Sequence, residues 1–297
     1  MLRKLIFLSL AISTAAWADL TIDSTSKPGV NSDKDRQTIY LKDDQMRIDQ
    51  ISTELQKGKP VDVVNTSMLI RFSGEPAGML FIDHKARQVR VTTPLEAIEA
   101  EKTVDAKTDP TAPAPSVVDR NETREVMDHT AEGYDFSYNG SLDPMAMGGQ
   151  QMPPQMAGMM KMKLHVTGTA WVVPGMAGAD ELAAFYAKMA KYQMTMGVVD
   201  PDQGGPGKEK SMVAPGLSHG LTDVMAQIAA KGFPLLTSIK SEVKMEMEGP
   251  MASMMQGMMQ TPGGGFESES EVTKVSTAKV DPDLFYDGGI PDGYTLK

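Results

Sequence analysis

The sequence predicts an α+β protein in which a curved antiparallel sheet is covered by two amphipathic helices. Alternating apolar and polar residues recur along most of the chain, and the turns between them are too short for parallel crossovers. Two stretches in the second half instead repeat with helical periodicity. Because the strands are polar on one side, these helices are the candidates to pack on the apolar side.

The first strands form a meander. After a strand at 19–26, the run 38–49 predicts a hairpin folded about Asp43 and Asp44. In this register Leu41 is opposite Met46 and Ile39 is opposite Ile48 on one face. Tyr40 and Arg47 then share the other face. The elements that follow are expected to be strands at 67–72, 78–83 and 86–92, a short helix at 94–102 and an extended Pro/Ala loop at 103–116.

The second half predicts two hairpins with methionine-rich tips, at 140–160 and 249–265. Of 25 methionines, seven fall in 145–162 and seven in 245–259. Strands are expected at 122–128, 133–139, 161–173, 239–247 and 268–276, and the unlike parity of Val272 and Val275 predicts a bulge in the last. The helices are expected at 180–196 and 217–231.

Residues 1–18 are typical of a secretory signal peptide. Arg3 and Lys4 precede an apolar stretch, and an A-x-A cleavage site ends at Ala18. No later stretch has the roughly 20 apolar residues that span a bilayer, and without cysteine there is no lipobox. We therefore expect a periplasmic or secreted protein with no transmembrane segment, in which 19–297 form a single domain.

Composition excludes several chemistries. The absence of cysteine removes disulfides, thiol nucleophiles, zinc–cysteine sites and iron–sulfur clusters. A net charge of −10 makes nucleic acid an improbable partner, because a phosphate backbone would be repelled.

No catalytic arrangement is recognisable, and we expect the protein not to be an enzyme. Residues 216–220 match G-x-S-x-G, but His219 is the last histidine and lies inside the motif. The motif is better explained as a helix start with Ser218 as a cap. His84 is expected in a turn and His165 on a polar strand face, so that neither predicts a zinc site.

The order of these elements resembles a known family. The runs IYLKDDQMRID, MLFIDHKARQVRVTTP, GYDFSYN, GTAWVVPGM, KGFPLLTSIKSEV and EVTKV, with the tail DPDLFYDGGIPDGYTLK, resemble the bacterial secreted family called domain of unknown function 4412. By analogy, the resemblance implies a half-barrel like those of the lipoprotein carriers LolA and LolB, where a curved sheet cups a helical plug and an apolar cavity accepts acyl chains. It brings no catalytic motif.

The first functional hypothesis is a non-enzymatic periplasmic protein that holds a lipid, an acyl chain or another hydrophobic small molecule between sheet and helices. An ordinary filled core would use the same residues. The expected lining is Met162, Leu164, Val166, Val243 and Met245 from the sheet, with Leu182, Phe185, Met189, Val224, Met225 and Ile228 from the helices.

The second hypothesis is a Cu(I)-binding or copper-tolerance protein, because soft thioether sulfur selects Cu(I). No other cofactor is expected. The methionines also suit an adaptable apolar surface for a lipid or membrane, a sacrificial role against oxidants, or an envelope scaffold whose protein partner is unknown. The candidate ligands are Met145, Met147, Met156, Met159, Met160, Met251, Met254, Met255, Met258 and Met259.

Overall fold

A computed structural model describes residues 19–28, 35–56, 58–94, 115–142, 160–192, 215–247 and 265–297. These residues form 12 strands, two α-helices and one 3-10 helix. The strands are β1 (Leu20–Pro28), β2 (Asp35–Lys42), β3 (Gln45–Gln56), β4 (Lys59–Arg71), β5 (Gly78–Asp83), β6 (Gln88–Pro94), β7 (Ser116–Val126), β8 (His129–Leu142), β9 (Met160–Val173), β10 (Phe233–Met247), β11 (Gly265–Ser276) and β12 (Thr295–Leu296). The helices are α1 (Ala179–Lys191), α2 (Pro215–Ala229) and the 3-10 helix Pro282–Gly288.

All the strands belong to one sheet. Their order in space is β12-β6-β5-β4-β3-β2-β1-β11-β10-β9-β8-β7, so that β12 and β7 are the two edges and the sheet is open. The short β12 pairs with β6 in parallel, and every other pair in the described chain is antiparallel. The two halves are joined where β1 pairs with β11.

The predicted fold class is wrong. The chain is not an α+β half-barrel covered by two helices: its described part is dominated by a single 12-stranded mixed sheet, and its helices are short. The error has a physical source. Each hairpin is visible in the alternation of its own residues, whereas the pairing of β1 with β11 joins residues about as far apart as the chain allows.

The local predictions for the first hairpin and the bulge are confirmed. Leu41 pairs with Met46 and Ile39 with Ile48, while Asp43 in the turn has a φ of 51°, a conformation that Asp tolerates better than most residues. The bulge lies at the expected place, because Asp23 pairs with Lys274 and the next residue, Ser24, pairs with Val272.

Helix α1 begins after Gly178, whose φ of 89° suits glycine. Its acidic residues lie in the first turn and its basic residues in the last, which complements the helix dipole. Helix α2 begins at Pro215, a favoured first position. Ser218 therefore lies inside α2 and is not its N-cap.

Apolar clusters lie on both faces of the sheet. Neighbouring residues of one strand, Leu69 and Ile70, lie in different apolar clusters, because successive side chains point to opposite faces. Ile70 belongs to the α1 cluster, which gathers apolar residues of β1 to β5 and of β7 to β11 around α1. The α2 cluster joins α2 to β8 and β9. Leu69 belongs to the C-terminal cluster, formed with residues 280–297, the C-terminal segment.

The C-terminal segment covers the face of the first hairpin that carries Tyr40 and Arg47. Val280 N–H donates to Asp19 Oδ2 at 2.6 Å, which fastens the start of the segment to the residue before β1. Asp281 then caps the 3-10 helix by accepting from Asp283 N–H. Phe285 from this helix is buried in the C-terminal cluster, and Tyr40 packs against the same cluster.

Several predicted elements lie outside the described residues. They are the signal peptide, the helix at 94–102 beyond Pro94, the loop at 103–116 up to residue 114, and most of the two methionine-rich tips. The flanking strands reach Leu142, Met160, Met247 and Gly265. In the described part of the chain, no helix has both the length and the apolar character needed to cross a membrane.

Candidate functional site

The α1 cluster is rich in methionine. In the part of the chain that the structure describes, seven methionines belong to it or pack against it. Met46, Met79 and Met189 are buried, and Met68, Met127, Met176 and Met225 are partly buried. Methionine is flexible and polarisable, and it fills irregular or changing spaces. An apolar layer of this composition can repack around a guest more readily than a layer of branched side chains.

Three aromatic rings of the α1 cluster, those of Phe72, Phe185 and Tyr192, are in contact. The Phe72 ring lies edge-on to Phe185 with centroids 5.7 Å apart, and it is 5.0 Å from the Tyr192 ring just beyond α1. Lys188 Nζ lies 4.6 Å from the centroid of Phe72 and 3.3 Å from Asp44 Oδ2. The end of α1 is therefore attached to the β2–β3 turn by the ion pair with Asp44. It is attached to Phe72, just after β4, by a cation–π contact and two ring contacts.

The predicted apolar lining is divided between two clusters. Leu182, Phe185 and Met189 lie in the α1 cluster, whereas Leu164, Val166, Val224 and Ile228 lie in the α2 cluster, and all seven are buried. Met225 is partly buried and packs against both clusters. The other three positions, Met162, Val243 and Met245, are known only by strand register, in which Met162 pairs with Met245 and Leu164 with Val243.

Most of the predicted copper ligands lie outside the described residues. Met160 is the exception, since it begins β9 and pairs with Met247 at the end of β10. The two methionine-rich segments therefore leave the sheet from neighbouring strand ends. Within the described residues, no group of three or more His, Cys, Asp or Glu side chains is placed to hold a metal ion.

The most elaborate polar arrangement lies on the opposite face, beneath the C-terminal segment. Arg47 Nε donates to Asp49 Oδ1 at 2.6 Å, and their side chains are only 7% and 4% exposed. The remaining nitrogens of Arg47 donate to Leu284 O at 2.8 Å, to the Tyr286 hydroxyl at 2.7 Å and to Ser67 Oγ at 3.3 Å. One guanidinium thus ties β3 and β4 to the C-terminal segment.

Ser67 and His84 extend this network. Ser67 Oγ lies 2.5 Å from Asp49 Oδ1 and 2.7 Å from His84 Nε2. A carboxylate only accepts, so the single hydroxyl proton of Ser67 goes to Asp49. His84 Nε2 must then donate to Ser67, and Nδ1 accepts from the Tyr294 hydroxyl at 2.9 Å. Burial, with the nearby charge of Arg47, lowers the pKa of His84, which favours this neutral ring.

This direction of proton donation is opposite to that of a serine nucleophile, whose proton is taken by histidine. Ser67 is a relay between an imidazole donor and a carboxylate acceptor. The chemistry of the network is therefore that of a clasp, in which these polar groups of the sheet are paired and the C-terminal segment is held down.

The sequence reading missed this clasp. The sequence placed Arg47 beside Tyr40 on one face of the hairpin and His84 in a turn, and the structure confirms both positions. It gave no partner for either side chain. The available signal was the tail itself, in which Phe285, Tyr286 and Tyr294 supply aromatic surface that a solvated tail would not need.

A depression of about 410 Å³ lies on β7 to β9. Its lining combines polar and apolar residues: Ser116, Val118, Asp135, Phe136, Ser137, Thr167, Gly168 and Thr169. None of these residues belongs to a helix, so the depression is not between the sheet and either helix.

Comparison with known proteins assigns no family. No family model matches the chain, and no curated protein matches it, so that the resemblance to domain of unknown function 4412 is not confirmed. A structure of PNGF-II aligns with a TM-score of 0.33 and 10% identity over 94% of this chain and 30% of that chain. This chain thus spans less than a third of the length of PNGF-II.

A second weak structural neighbour is a domain from Vibrio parahaemolyticus described as a putative outer membrane lipoprotein-sorting protein. It aligns with a TM-score of 0.27 and 7% identity over 92% of this chain and 91% of that chain. At these TM-scores neither neighbour determines fold or function. The class of protein is defined by the structure alone: an open sheet with an adaptable apolar layer on one face and a clasped C-terminal segment on the other.

Proposed function

We propose that this protein is a non-enzymatic binding protein of the bacterial envelope, which takes up an apolar ligand such as a lipid or acyl chain. The observation that carries the proposal is the concentration of methionine in the α1 cluster. Surfaces that accept ligands of varied shape use methionine because its unbranched chain adopts many shapes at low cost. The predicted signal peptide supports a periplasmic or secreted location.

The entry point in this proposal is Met225. It lies at the junction of the α1 and α2 clusters, and it is partly exposed, whereas Phe185 and Ile228 in those clusters are fully buried. Displacing a partly exposed methionine between two clusters breaks fewer close-packed contacts than displacing a fully buried residue inside either cluster. A ligand entering here would displace Met225 and spread into the methionine layer.

A lysine at position 225 tests the proposal. We expect Met225→Lys to weaken binding of a neutral solvatochromic dye at least tenfold, because an ammonium group at the entry would have to be desolvated by the ligand. The melting temperature should change little, since the long lysine stem can reach solvent. Fluorescence titration and thermal unfolding on the same samples check both expectations.

The matched control is Gln227→Lys, which adds the same charge to an exposed position of α2. It should bind the dye as the unaltered protein does. Equal binding by Met225→Lys, or the absence of saturable binding to the unaltered protein, would show that the α1 cluster is an ordinary core.

A second candidate function is Cu(I) binding, and the register of β9 and β10 favours it. Met160 pairs with Met247 and Met162 with Met245, so that four methionines occupy adjacent positions on one face of two neighbouring strands. Methionine at these four register positions supplies thioether sulfur, a soft ligand of the kind that selects Cu(I).

Replacing these four methionines by leucine removes sulfur and nearly preserves volume. We expect the variant to lose the tightest Cu(I) equivalent when the metal is titrated anaerobically against a chelator. The control replaces Met68, Met127, Met176 and Met225 by leucine, the same number of thioethers at another site. Unchanged affinity in the first variant would exclude the β9–β10 methionines as copper ligands.

A further inference from the structure

Arg71 is a buried cation whose guanidinium is largely unpaired. It ends β4 on the same face as Leu69, the face of the C-terminal cluster. Its side chain is 0% exposed. Nε donates to Pro76 O at 2.6 Å, whereas Nη1 and Nη2 have no hydrogen-bond partner among the residues that the structure describes.

A buried, unpaired side chain destabilises the fold more when it is arginine than when it is a residue that can lose its charge. A guanidinium stays charged in proteins, and a buried charge is tolerated when it is paired and hydrogen-bonded. Arg47, on the same face, meets this requirement with Asp49. The strand neighbour of Arg71 on β5 is Gly78, which brings no counter-charge.

A second unpaired group lies directly opposite on β3. Gln45 pairs with Arg71 across the sheet, so that both side chains share one face. Gln45 Oε1 is also buried and has no hydrogen-bond partner in the described chain. Two donor nitrogens and one acceptor oxygen are thus left unpaired at adjacent positions, and a single bound group carrying oxygens and a hydroxyl would satisfy them together.

Loop 73–77 lies against Arg71, because Pro76 O in this loop accepts from Arg71 Nε. Glu75 N–H donates to Gly288 O at 3.0 Å, which joins loop 73–77 to the C-terminal segment. A side chain at Gly74 would approach Gly288 O to 2.9 Å, so that the two backbones meet closely. Glu75 itself is exposed. Loop 73–77 would have to move for a ligand to reach Arg71, since Pro76 O contacts its Nε.

We infer that Arg71 and Gln45 form a binding site for an oxyanion that also carries a hydroxyl, of which hydrogen phosphate is the simplest. The phosphate oxygens accept from Nη1 and Nη2 of Arg71, and the P–OH group donates to Gln45 Oε1. The same chemistry is offered by free phosphate and by a phosphomonoester lipid headgroup. The site is on the face opposite the α1 cluster and is independent of the function proposed for that cluster.

The test is equilibrium dialysis of the full chain against radiolabelled inorganic phosphate at about pH 6.5, where the second ionisation of a phosphate group is incomplete, and at constant ionic strength. We expect one saturable equivalent, with sulfate, which lacks the hydroxyl, competing at least tenfold less well. Arg71→Met should lose the equivalent, whereas Arg87→Met, which removes an exposed arginine, should keep it. Circular dichroism confirms that each variant is folded.

A second variant, Gln45→Leu, tests the inference even if Arg71→Met does not fold. This variant retains the Arg71 guanidinium but lacks the acceptor for the P–OH group. Phosphate and sulfate should therefore bind to it with equal affinity. Vesicles of phosphatidylcholine with phosphatidate distinguish the sources: binding of vesicles that Arg71→Met abolishes, without binding of inorganic phosphate, assigns a lipid headgroup.

Two outcomes would overturn the inference. The first is the absence of saturable binding of either phosphate source to the unaltered protein. The second is equal binding by Arg71→Met. If phosphate bound to the Glu75→Gln variant but not to the unaltered protein, the inference would also be overturned. The carboxylate of Glu75 would then be the natural partner of Arg71.

Discussion

Replacing Asp49 by alanine is expected to lower the free energy of unfolding by about 3–5 kcal/mol, the usual loss when one partner of a buried ion pair is removed. The change removes the buried counter-charge of the Arg47 guanidinium, whose Nε donates to Asp49 Oδ1 at 2.6 Å. It also leaves the Ser67 hydroxyl without its acceptor. Urea denaturation followed by circular dichroism measures the loss.

Two further variants separate the charge from the packing. Arg47→Met combined with Asp49→Leu should recover most of the stability, because paired buried charges are often replaced by apolar groups at little cost. Asp62→Ala, which breaks the exposed pair with Arg36, should leave the unfolding curve unchanged. A stability of Asp49→Ala equal to that of the unaltered protein would mean that Arg47 needs no counter-charge in this clasp.

Phe185→Ala is expected to cost about 3–5 kcal/mol of unfolding free energy, as large-to-small changes of fully buried aromatic residues do. Phe185 is 0% exposed and its ring packs edge-on against Phe72. The loss combines removed apolar contact with the cavity left beneath α1. Thermal and urea unfolding measure it.

Lys191→Ala is the matched control, because Lys191 is an exposed residue in the last turn of the same helix. It should change the free energy of unfolding by less than about 0.5 kcal/mol, as exposed substitutions usually do. Binding of the neutral dye by Phe185→Ala decides the role of this ring. A joint loss of stability and binding identifies Phe185 as core, whereas lost binding with unchanged stability would make it a wall of the ligand site.

Local sequence patterns were sufficient for the elements whose partners are near in the chain. The β2–β3 register follows from the alternation around Asp43 and Asp44, and the bulge follows from the parity of Val272 and Val275. The stripe from Leu182 to Met189 predicts the buried face of α1. In each case the energetic preference is set by residues within one hairpin or a few helical turns.

The rest was decided by contacts between distant residues. Arg47 is buried because Tyr286, 239 residues later, lies over it, and no local pattern indicates this. His84 does lie in a turn, but the donor to its ring is Tyr294, 210 residues later.

What the sequence determined by itself is therefore most of the strands, the two helices, the methionine-rich composition and the absence of thiol chemistry. It did not predict that β3 and β4 extend to Gln56 and Lys59, or that β12 forms. Only the tertiary structure decided that the strands join in one open sheet, that the C-terminal segment packs against part of the second face, and that Arg71 is buried with no counter-charge among the described residues. The physical reason is that alternation specifies which residues share a face of a strand, whereas what covers that face depends on long-range packing.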